Sequence, residues 1–344
     1  MKFLSDKALD RLRDTSNPPN LEGTRYSLLE RVACGGMGVV YAAQDEKLGR
    51  RVALKVLDAP DLNAGLARRL IREAQVLARL EHPGIVPVHD VGTLQDGRVF
   101  YTMKFVEGHR LDKHVEAVES IPDRLRLFLR ICDTVAFAHA RGVLHRDLKP
   151  ANVMVGPFGE VLVLDWGLAK ILRDPAGIIL KPGPNATDTH VSSSAGTARD
   201  TREVSAVTGH GTVMGTPGYM SPEQARGDNA QVDERSDIFS LGAILRFLLG
   251  VDSAGAAPQP GHGTDKSLEA ICAKSLAANP EDRYTSVTQL AEDVSRYLDG
   301  LPVSARKETI ADKTVRFYRR HSVAILLIAA YLLMRIVLLL VSRR

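Results

Sequence analysis

The sequence has little of several things, and each scarcity excludes a class of protein. It holds three cysteines, Cys34, Cys132 and Cys272, no two of them at metal-ligand spacing. An odd number cannot all pair within the chain, so a reducing, cytoplasmic setting is expected. Neither sign of charge dominates: 45 Lys and Arg against 41 Asp and Glu give a formal net charge of +4, which does not call for a nucleic-acid partner. No apolar run opens the chain; MKFLSDKALDRLRD carries charges throughout and is not a secretory signal. Internal repeats are absent. Aromatics make up 5% of the residues, with a single Trp, Trp166, whose surroundings become a question for the structure.

What is present is an ordinary globular mix, 44% hydrophobic and 25% charged over 344 residues. That excludes a wholly disordered chain, a collagen-like repeat and a multi-span membrane protein, and the length suggests two lobes.

One stretch departs from the mix: residues 322–341 read SVAILLIAAYLLMRIVLLLV. At about 1.5 Å per residue, a helix of this length spans roughly the 30 Å of a hydrocarbon core. Arg335 is the objection, since an Arg near the bilayer centre costs about 2.5–3.5 kcal/mol, whereas each Leu, Ile or Val returns about 0.3–0.6. With thirteen Leu, Ile and Val in the segment, the sum favours insertion, and Arg335 sits towards the end, where it can snorkel. A buried helix of a soluble domain would normally carry a polar stripe, which this segment lacks. Arg316, Arg319, Arg320 and His321 precede it, so the expectation is a single-pass protein of the cell membrane, in contact with the lipid bilayer, with residues 1–321 cytoplasmic. Arg343 and Arg344 on the far side pull against that orientation. Because three residues follow the segment, no outer sensor domain is expected.

Along the chain, residues 1–25 are polar and end near Asn17-Pro18-Pro19-Asn20, which suggests a short helix and a linker. Period-two patterns over Tyr26–Val32, Val39–Asp45 and Arg51–Leu57 predict strands, and two more are expected near Pro87–Leu94 and Val99–Phe105. Ala67–Leu80 has helical spacing. From Leu111 the pattern turns helical, with an apolar stripe of Leu125, Phe128, Leu129, Cys132 and Val135 over 124–141. Short strands are expected at Val153–Val155 and Val161–Leu164. Residues 174–208 are rich in Pro, Gly, Ser, Thr and Ala and read as a long solvated loop. Helices resume at about 221–226, 233–249, 267–276 and 286–298.

Five motifs carry chemistry. Ala33-Cys34-Gly35-Gly36-Met37-Gly38-Val39-Val40 is a glycine-rich hairpin whose backbone N–H groups could approach phosphate oxygens, or an ordinary turn. Lys55, in Val52-Ala53-Leu54-Lys55, is costly in an apolar strand unless its ammonium meets an anion; the plain alternative is an edge-strand lysine facing water. Glu73 could equally sit on a solvated helix face. His145-Arg146-Asp147-Leu148-Lys149-Pro150-Ala151-Asn152 is far more specific. It puts a carboxylate, a cation and an amide on one tight loop, suited to proton acceptance, phosphate neutralisation and metal ligation. Asp165-Trp166-Gly167, after an apolar strand, suits a magnesium ligand on a movable loop, or a turn.

In this order and spacing the motifs resemble the protein kinase family, with a close match to its bacterial, eukaryotic-like serine/threonine branch, over about residues 26–298. The resemblance implies an α+β, bilobal fold. A small lobe of five strands and one helix would cover about 26–104 and a larger, mainly α-helical lobe about 107–298, with an activation segment at 165–223 that contains the 174–208 insertion. Residues 1–25 would be an N-terminal extension, 299–321 a basic juxtamembrane linker and 322–341 a transmembrane helix. The implied ligands are ATP and Mg2+, with Mn2+ as a substitute ion, and the implied substrates are proteins with Ser or Thr acceptors.

Residue by residue, the loop Ala33, Cys34, Gly35, Gly36, Met37 and Gly38 would cover the nucleotide, with Val40 touching adenine and Ala53 and Met154 in the same set. Lys55 would hold the α- and β-phosphates and pair with Glu73. Met103 would be the gatekeeper, with Lys104, Phe105 and Val106 as the hinge. Asp147 would accept the substrate proton and Lys149 neutralise the transferred group. Asn152 and Asp165 would hold the metal. Glu223 would pair with Arg283, and Asp237 would brace the catalytic loop.

Departures from the pattern are Ala33 for the first loop glycine, Trp166 for the usual Phe, Ser221 for Ala, and a short Gly/Pro-rich stretch at 251–266 where substrate docking is expected. Ala33 is tolerable if its φ is negative. Trp166 must pack under the Glu73 helix and find a partner for its indole N–H. Arg146, beside Asp147, suggests ordering by phosphate on the activation segment, with Thr208 or Thr212 as acceptors in a trans-reaction within a homodimer. A pseudokinase scaffold is the rival reading, as is, at greater distance, a small-molecule kinase. Cys34 is read as a small filler or a redox-sensitive thiol.

Overall fold

The computed structural model describes residues 18–35, 38–57, 65–171, 216–228, 230–250, 265–306 and, near the C-terminus, 327–328, 330–332 and 334–335. The first part is a sheet built from β1 (Tyr26–Gly35), β2 (Gly38–Asp45), β3 (Arg50–Val56), β4 (Val88–Thr93) and β5 (Val99–Lys104), with α1 (Gly65–Arg79) between β3 and β4. The strand order is β1-β2-β3-β5-β4 and every neighbour is antiparallel.

Side chains alternate across a pleated strand, so register decides which face each residue joins. Val52, Leu54, Val56 and Phe100 fall on one face and pack with Leu21, Tyr26, Ala43 and Leu94 in a small outer core. Ala53, Lys55, Tyr101 and Met103 fall on the other, with Ala53 opposite Met103 and Lys55 opposite Tyr101. That second face looks onto α1, whose buried residues Leu70, Glu73, Ala74, Val76 and Leu77 recur at helical spacing while Arg68, Arg69, Arg72 and Arg79 stay exposed.

The second part begins with β6 (His109–Arg110) and the single turn α2 (Leu111–His114), then α3 (Ile121–Ala140). Leu125, Phe128, Ile131, Cys132, Val135 and Ala138 of α3 are fully buried. Short strands follow: β7 (Val143–Leu144), β8 (Val153–Val155), β9 (Val161–Val163) and β10 (Lys170–Ile171). They form a β6-β8-β9 sheet and a β7-β10 pair that hold the loops between them. The short α4 (Pro222–Ala225) precedes α5 (Glu234–Leu248), α6 (Lys266–Ser275) and α7 (Val287–Leu298). Helix α3 packs on α5 and α7, and α6 on both of these. One core runs from Leu70, Ala74 and Leu77 of α1 through Tyr101 and Trp166 to Leu241, Ile271 and Leu290.

Trp166 is buried in that core with the α1 residues, its Nε1 donates to the Val163 carbonyl at 3.2 Å, and its ring lies 4.6 Å from that of His145. The expected small lobe of five strands and a helix is therefore present, followed by a mainly helical lobe. Among the described residues no helix is long and apolar enough to cross a membrane. Most of the expected transmembrane helix at 322–341 lies outside the described residues, as do Gly36, Met37, the 174–208 insertion, Thr208, Thr212 and most of 251–266.

Candidate active site

The loop between β1 and β2 opens the site. Ala33 stands opposite Val40, Cys34 opposite Val39 and Gly35 opposite Gly38. Gly38 has φ of 139°, and a Cβ there would meet the Val56 carbonyl oxygen at 2.2 Å, so only glycine lets β2 approach β3 this closely. Ala33 is not among the described residues of positive φ, which meets the condition for a methyl at that position. Cys34 is exposed.

Lys55 lies on β3, the central strand of the sheet, so the edge-strand alternative fails. Its side chain is 11% exposed, and Nζ donates to both carboxylate oxygens of Glu73, at 2.8 and 2.9 Å. Glu73 is buried rather than on a solvated face. Asp165 Oδ1 lies 3.6 Å from the same ammonium. Burial alone would push the Lys55 pKa down, but Glu73 and Asp165 outweigh it and the net direction is upward. The ammonium is charged, and its partners are already in place.

The catalytic-loop candidates sit between β7 and β8. Arg146 has φ of 71°, in the left-handed region that a branched or long side chain rarely adopts. What holds it is Asp237, buried on α5, whose Oδ1 accepts the Arg146 N–H at 2.8 Å and whose Oδ2 accepts the His145 N–H at 2.8 Å. His139 Nε2 donates to the same Oδ2 at 2.8 Å. Burial would raise the Asp237 pKa; His139 and these N–H groups overrule it, and the carboxyl lies below its ordinary value. From the other side, Gln224 Nε2 donates to the Arg146 carbonyl at 2.8 Å.

Held this way, Asp147 meets three partners. Lys149 Nζ donates to its Oδ2 at 2.7 Å, Asn152 Nδ2 to Oδ2 at 3.1 Å, and Thr216 Oγ1 to Oδ1 at 3.1 Å. Lys149 also donates to Thr216 Oγ1 at 2.6 Å. Because the Asn152 amide nitrogen is used by Asp147, its oxygen is the atom left for a cation. Asp165, with φ of 59°, directs a half-exposed carboxylate towards Lys55. Two oxygen donors of this type suit a hard divalent ion. Among the described residues no cluster of three or more His, Cys, Asp or Glu could cage a metal alone, so a bound ion would need further oxygens from its ligand.

Of the expected nucleotide set, Val40, Ala53 and Met103 share the sheet face of Lys55 by register. Met154 is half-buried between the core residues Val153 and Val155, on the opposite side of β8 from them. Lys104 differs. It pairs with Val52 on the other face, its N–H is taken by the Pro87 carbonyl, and it lines a cavity of about 910 Å3 with Leu80, His82, Arg130 and Phe158. The Phe105 ring lies under the Arg51 guanidinium at 4.1 Å, and Val106 is half-buried.

Below the site, Arg283 Nη1 and Nη2 donate to the two Glu223 oxygens at 2.8 and 2.9 Å, with both side chains fully buried. The remaining Arg283 donors reach the carbonyls of Arg235, Ala277 and Ala278. Ser221 caps α4 in a reciprocal box with Gln224.

Four residues here were not singled out as site residues from sequence: Tyr101, Thr216, Gln224 and Lys170. Tyr101 donates its hydroxyl to Glu73 Oε1 at 2.9 Å. Lys170 on β10 donates to the Val232 carbonyl at 3.2 Å, and its pKa is pushed down by burial and by the charge of Arg146. Thr216 lies in Gly215-Thr216-Pro217-Gly218-Tyr219, which resembles the end of a kinase activation segment, but its contact with Asp147, like the contacts of the other three, is made through register or across long stretches of chain.

This arrangement defines a class, and comparison with known sequences agrees with it. The family profile described as Protein kinase domain matches residues 26–301; the chain belongs to the protein kinase family. Among its relatives is the serine/threonine-protein kinase PknD of Chlamydia trachomatis, 36% identical over 324 residues, covering 84% of this chain and 33% of the relative. The PknD of Chlamydia felis is 36% identical over 310 residues, covering 81% and 31%. The chain thus spans about a third of the length of the curated relatives it matches. A solved structure of the Mycobacterium tuberculosis PknI kinase domain is similar at 26% identity and a TM-score of 0.54, covering 79% of this chain and 95% of that one.

Proposed function

We propose that the chain transfers the γ-phosphoryl group of ATP to Ser and Thr hydroxyls of proteins, in the manner of a membrane-anchored kinase. The observation that carries the reading is the meeting of Lys55, Glu73 and Asp165 at the lobe junction, 2.8 and 3.6 Å from one ammonium. Lys55 holds the α- and β-phosphates, fixed in direction by Glu73. Asp147 takes the proton of the acceptor hydroxyl, and Lys149 spreads the charge of the group in transfer. A divalent ion, Mg2+ or Mn2+, held by Asp165, Asn152 and the phosphates themselves, supplies charge neutralisation when bound. Catalysis of this kind is positioning and electrostatics, which suits a site whose donors are already paired. A scaffold without transfer chemistry would not need Lys55, Glu73, Asp147, Asn152 and Asp165 together. Incubating the purified chain with Mg2+ and γ-labelled ATP, with a basic protein as acceptor, should give phosphoserine or phosphothreonine. No label in either the chain or the acceptor overturns the reading.

Autophosphorylation on the activation segment belongs to the same proposal. Arg146 and Lys170 bring two cations together; burial lowers the Arg146 pKa despite Asp237, and burial and Arg146 lower that of Lys170. A phosphate supplied by Thr208 or Thr212 of a second copy's making would relieve that repulsion. A Thr208→Ala/Thr212→Ala chain with undiminished activity would remove this part. Anchoring rests on the apolar run at 322–341 and the basic residues before it. Release of the full chain from membranes by carbonate or high salt would count against it.

A further inference from the structure

Lys55 and Tyr101 are direct cross-strand partners on β3 and β5, so both side chains leave the sheet on the face that meets α1. There they converge on one carboxylate. Glu73 Oε1 accepts from Lys55 Nζ at 2.8 Å and from the Tyr101 hydroxyl at 2.9 Å, while Oε2 accepts from Lys55 at 2.9 Å. All three residues are more than nine-tenths buried. The Lys55 ammonium also lies 5.9 Å from the centroid of the Tyr101 ring, within reach of an attractive cation–ring contact.

We infer that Tyr101 is a positioning residue for phosphate binding: its hydroxyl locks the Glu73 carboxylate, and through it α1, in the orientation that points Lys55 at the nucleotide's phosphates. This rests on the nucleotide reading of the site. A bidentate Lys–Glu pair alone leaves the carboxylate free to swing about its last two torsions. A third donor from a different strand removes that freedom, because the phenol is rigid and buried. Hydrogen bonds to a charged acceptor are among the stronger ones. Burial, reinforced by Glu73, pushes the Tyr101 pKa up, so the hydroxyl remains a donor throughout the working range. The cost of losing it should fall on ligands that use Lys55 and spare those that do not.

The experiment compares Mg·ADP, which carries phosphates, with adenosine, which carries none, binding to the full chain by calorimetry. Tyr101→Phe removes one oxygen and keeps the ring. It should weaken Mg·ADP about tenfold, about 1.4 kcal/mol, and leave adenosine affinity within about twofold. In a Glu73→Ala background the same substitution should leave Mg·ADP affinity unchanged and raise the melting temperature, because the hydroxyl has lost its acceptor. Equal weakening of both ligands, an unchanged Mg·ADP affinity, or an equal effect in both backgrounds makes Tyr101 a packing residue and overturns the inference. Should the Tyr101→Phe chain not fold, the melting temperatures of Glu73→Ala and its double variant still decide the matter by their sign. A parent chain that binds adenosine but no Mg·ADP overturns the phosphate reading of Lys55 itself, and the clamp with it.

Discussion

The Asp237 carboxylate accepts the backbone N–H of Arg146 at 2.8 Å and so holds a residue with φ of 71°. A left-handed arginine costs about 1–2 kcal/mol unless its surroundings over-determine it. Here they do, since Asp237 also takes the N–H of His145 and the ring N–H of His139. Asp237→Ala would leave three buried donors without an acceptor, at about 1–3 kcal/mol for each isolated group. Urea unfolding should show a loss of roughly 3–5 kcal/mol, as for other broken buried charge networks. Phosphoryl transfer should fall with it, because Asp147 follows Arg146 directly. Asp237→Asn, which keeps one acceptor oxygen, should lose about half as much. A loss below about 1 kcal/mol for the alanine variant would show that the loop holds its own shape.

The Glu223–Arg283 pair gives a pH dependence with a definite sign. Burial alone would raise the Glu223 carboxyl, but hydrogen bonds from Arg283 and Ser236 hold it at about 2, down from 4.5. A carboxyl whose folded pKa is depressed contributes stability above its unfolded value and loses it as pH falls through the window between the two. The contribution should be complete above about pH 5.5 and decline from about pH 4.5 towards 2, with a ceiling of about 3 kcal/mol. Comparing the parent with Glu223→Gln by denaturant unfolding at pH 6.0 and pH 3.5, the difference in stability should shrink at the lower pH. A constant difference would mean that the pair does not titrate in this range.

Much of the site was legible because its groups lie in short local strings. His145 to Asn152 places a carboxylate, a cation and an amide within one loop, and the loop brings them together at Asp147. Lys55 and Glu73 were legible as types, but not their burial: that follows from β3 being central, a property of strand order that the local pattern does not carry. Thr216 contacts Asp147 across 69 residues of chain, and Tyr101 meets Glu73 through a register set by the whole sheet. The side chains of Met103 and Lys104 leave opposite faces of the sheet, because one step along a strand reverses the side. Helix ends moved by one to three residues for a local reason. Asp233 and Ser286, read as first helical residues, are N-caps that accept N–H groups of the turn they open. Helix α3 begins at Ile121, three residues before the start read from its apolar stripe, because Pro122 fits a first helical turn while Pro122 and Asp123 add nothing to that stripe.

Gly38 should not tolerate a side chain, whereas Ala33 should be indifferent to losing one. At Gly38 both the φ of 139° and the 2.2 Å approach of the Val56 carbonyl oppose a Cβ, so Gly38→Ala must shift β2 away from β3 at the mouth of the site. The expected cost is roughly 1–3 kcal/mol of stability, with weaker nucleotide binding. Ala33→Gly, at an exposed strand position with ordinary backbone, should change stability by less than about 1 kcal/mol. Thermal melts of the two variants side by side test this, and equal melting temperatures would refute it.

Asp147 and Thr216 should separate binding from turnover. The Asp147 carboxylate accepts on Oδ2 from Lys149 and Asn152 and on Oδ1 from Thr216, so its orientation is set before any acceptor hydroxyl arrives. Asp147→Asn keeps the shape and most of the contacts but removes the base. General-base removal is worth about 100- to 10,000-fold in turnover, and ATP affinity should change little, because Lys55 and Asp165 are untouched. Thr216→Val frees only Oδ1 and leaves Lys149 with one partner fewer; turnover should fall about tenfold, about 1.4 kcal/mol of barrier. Steady-state kinetics with ATP varied at fixed acceptor should therefore show kcat falling in both variants with KM for ATP nearly constant. An Asp147→Asn chain that turns over like the parent would mean that the proton leaves by another route, and the role assigned to this loop would pass to a different group.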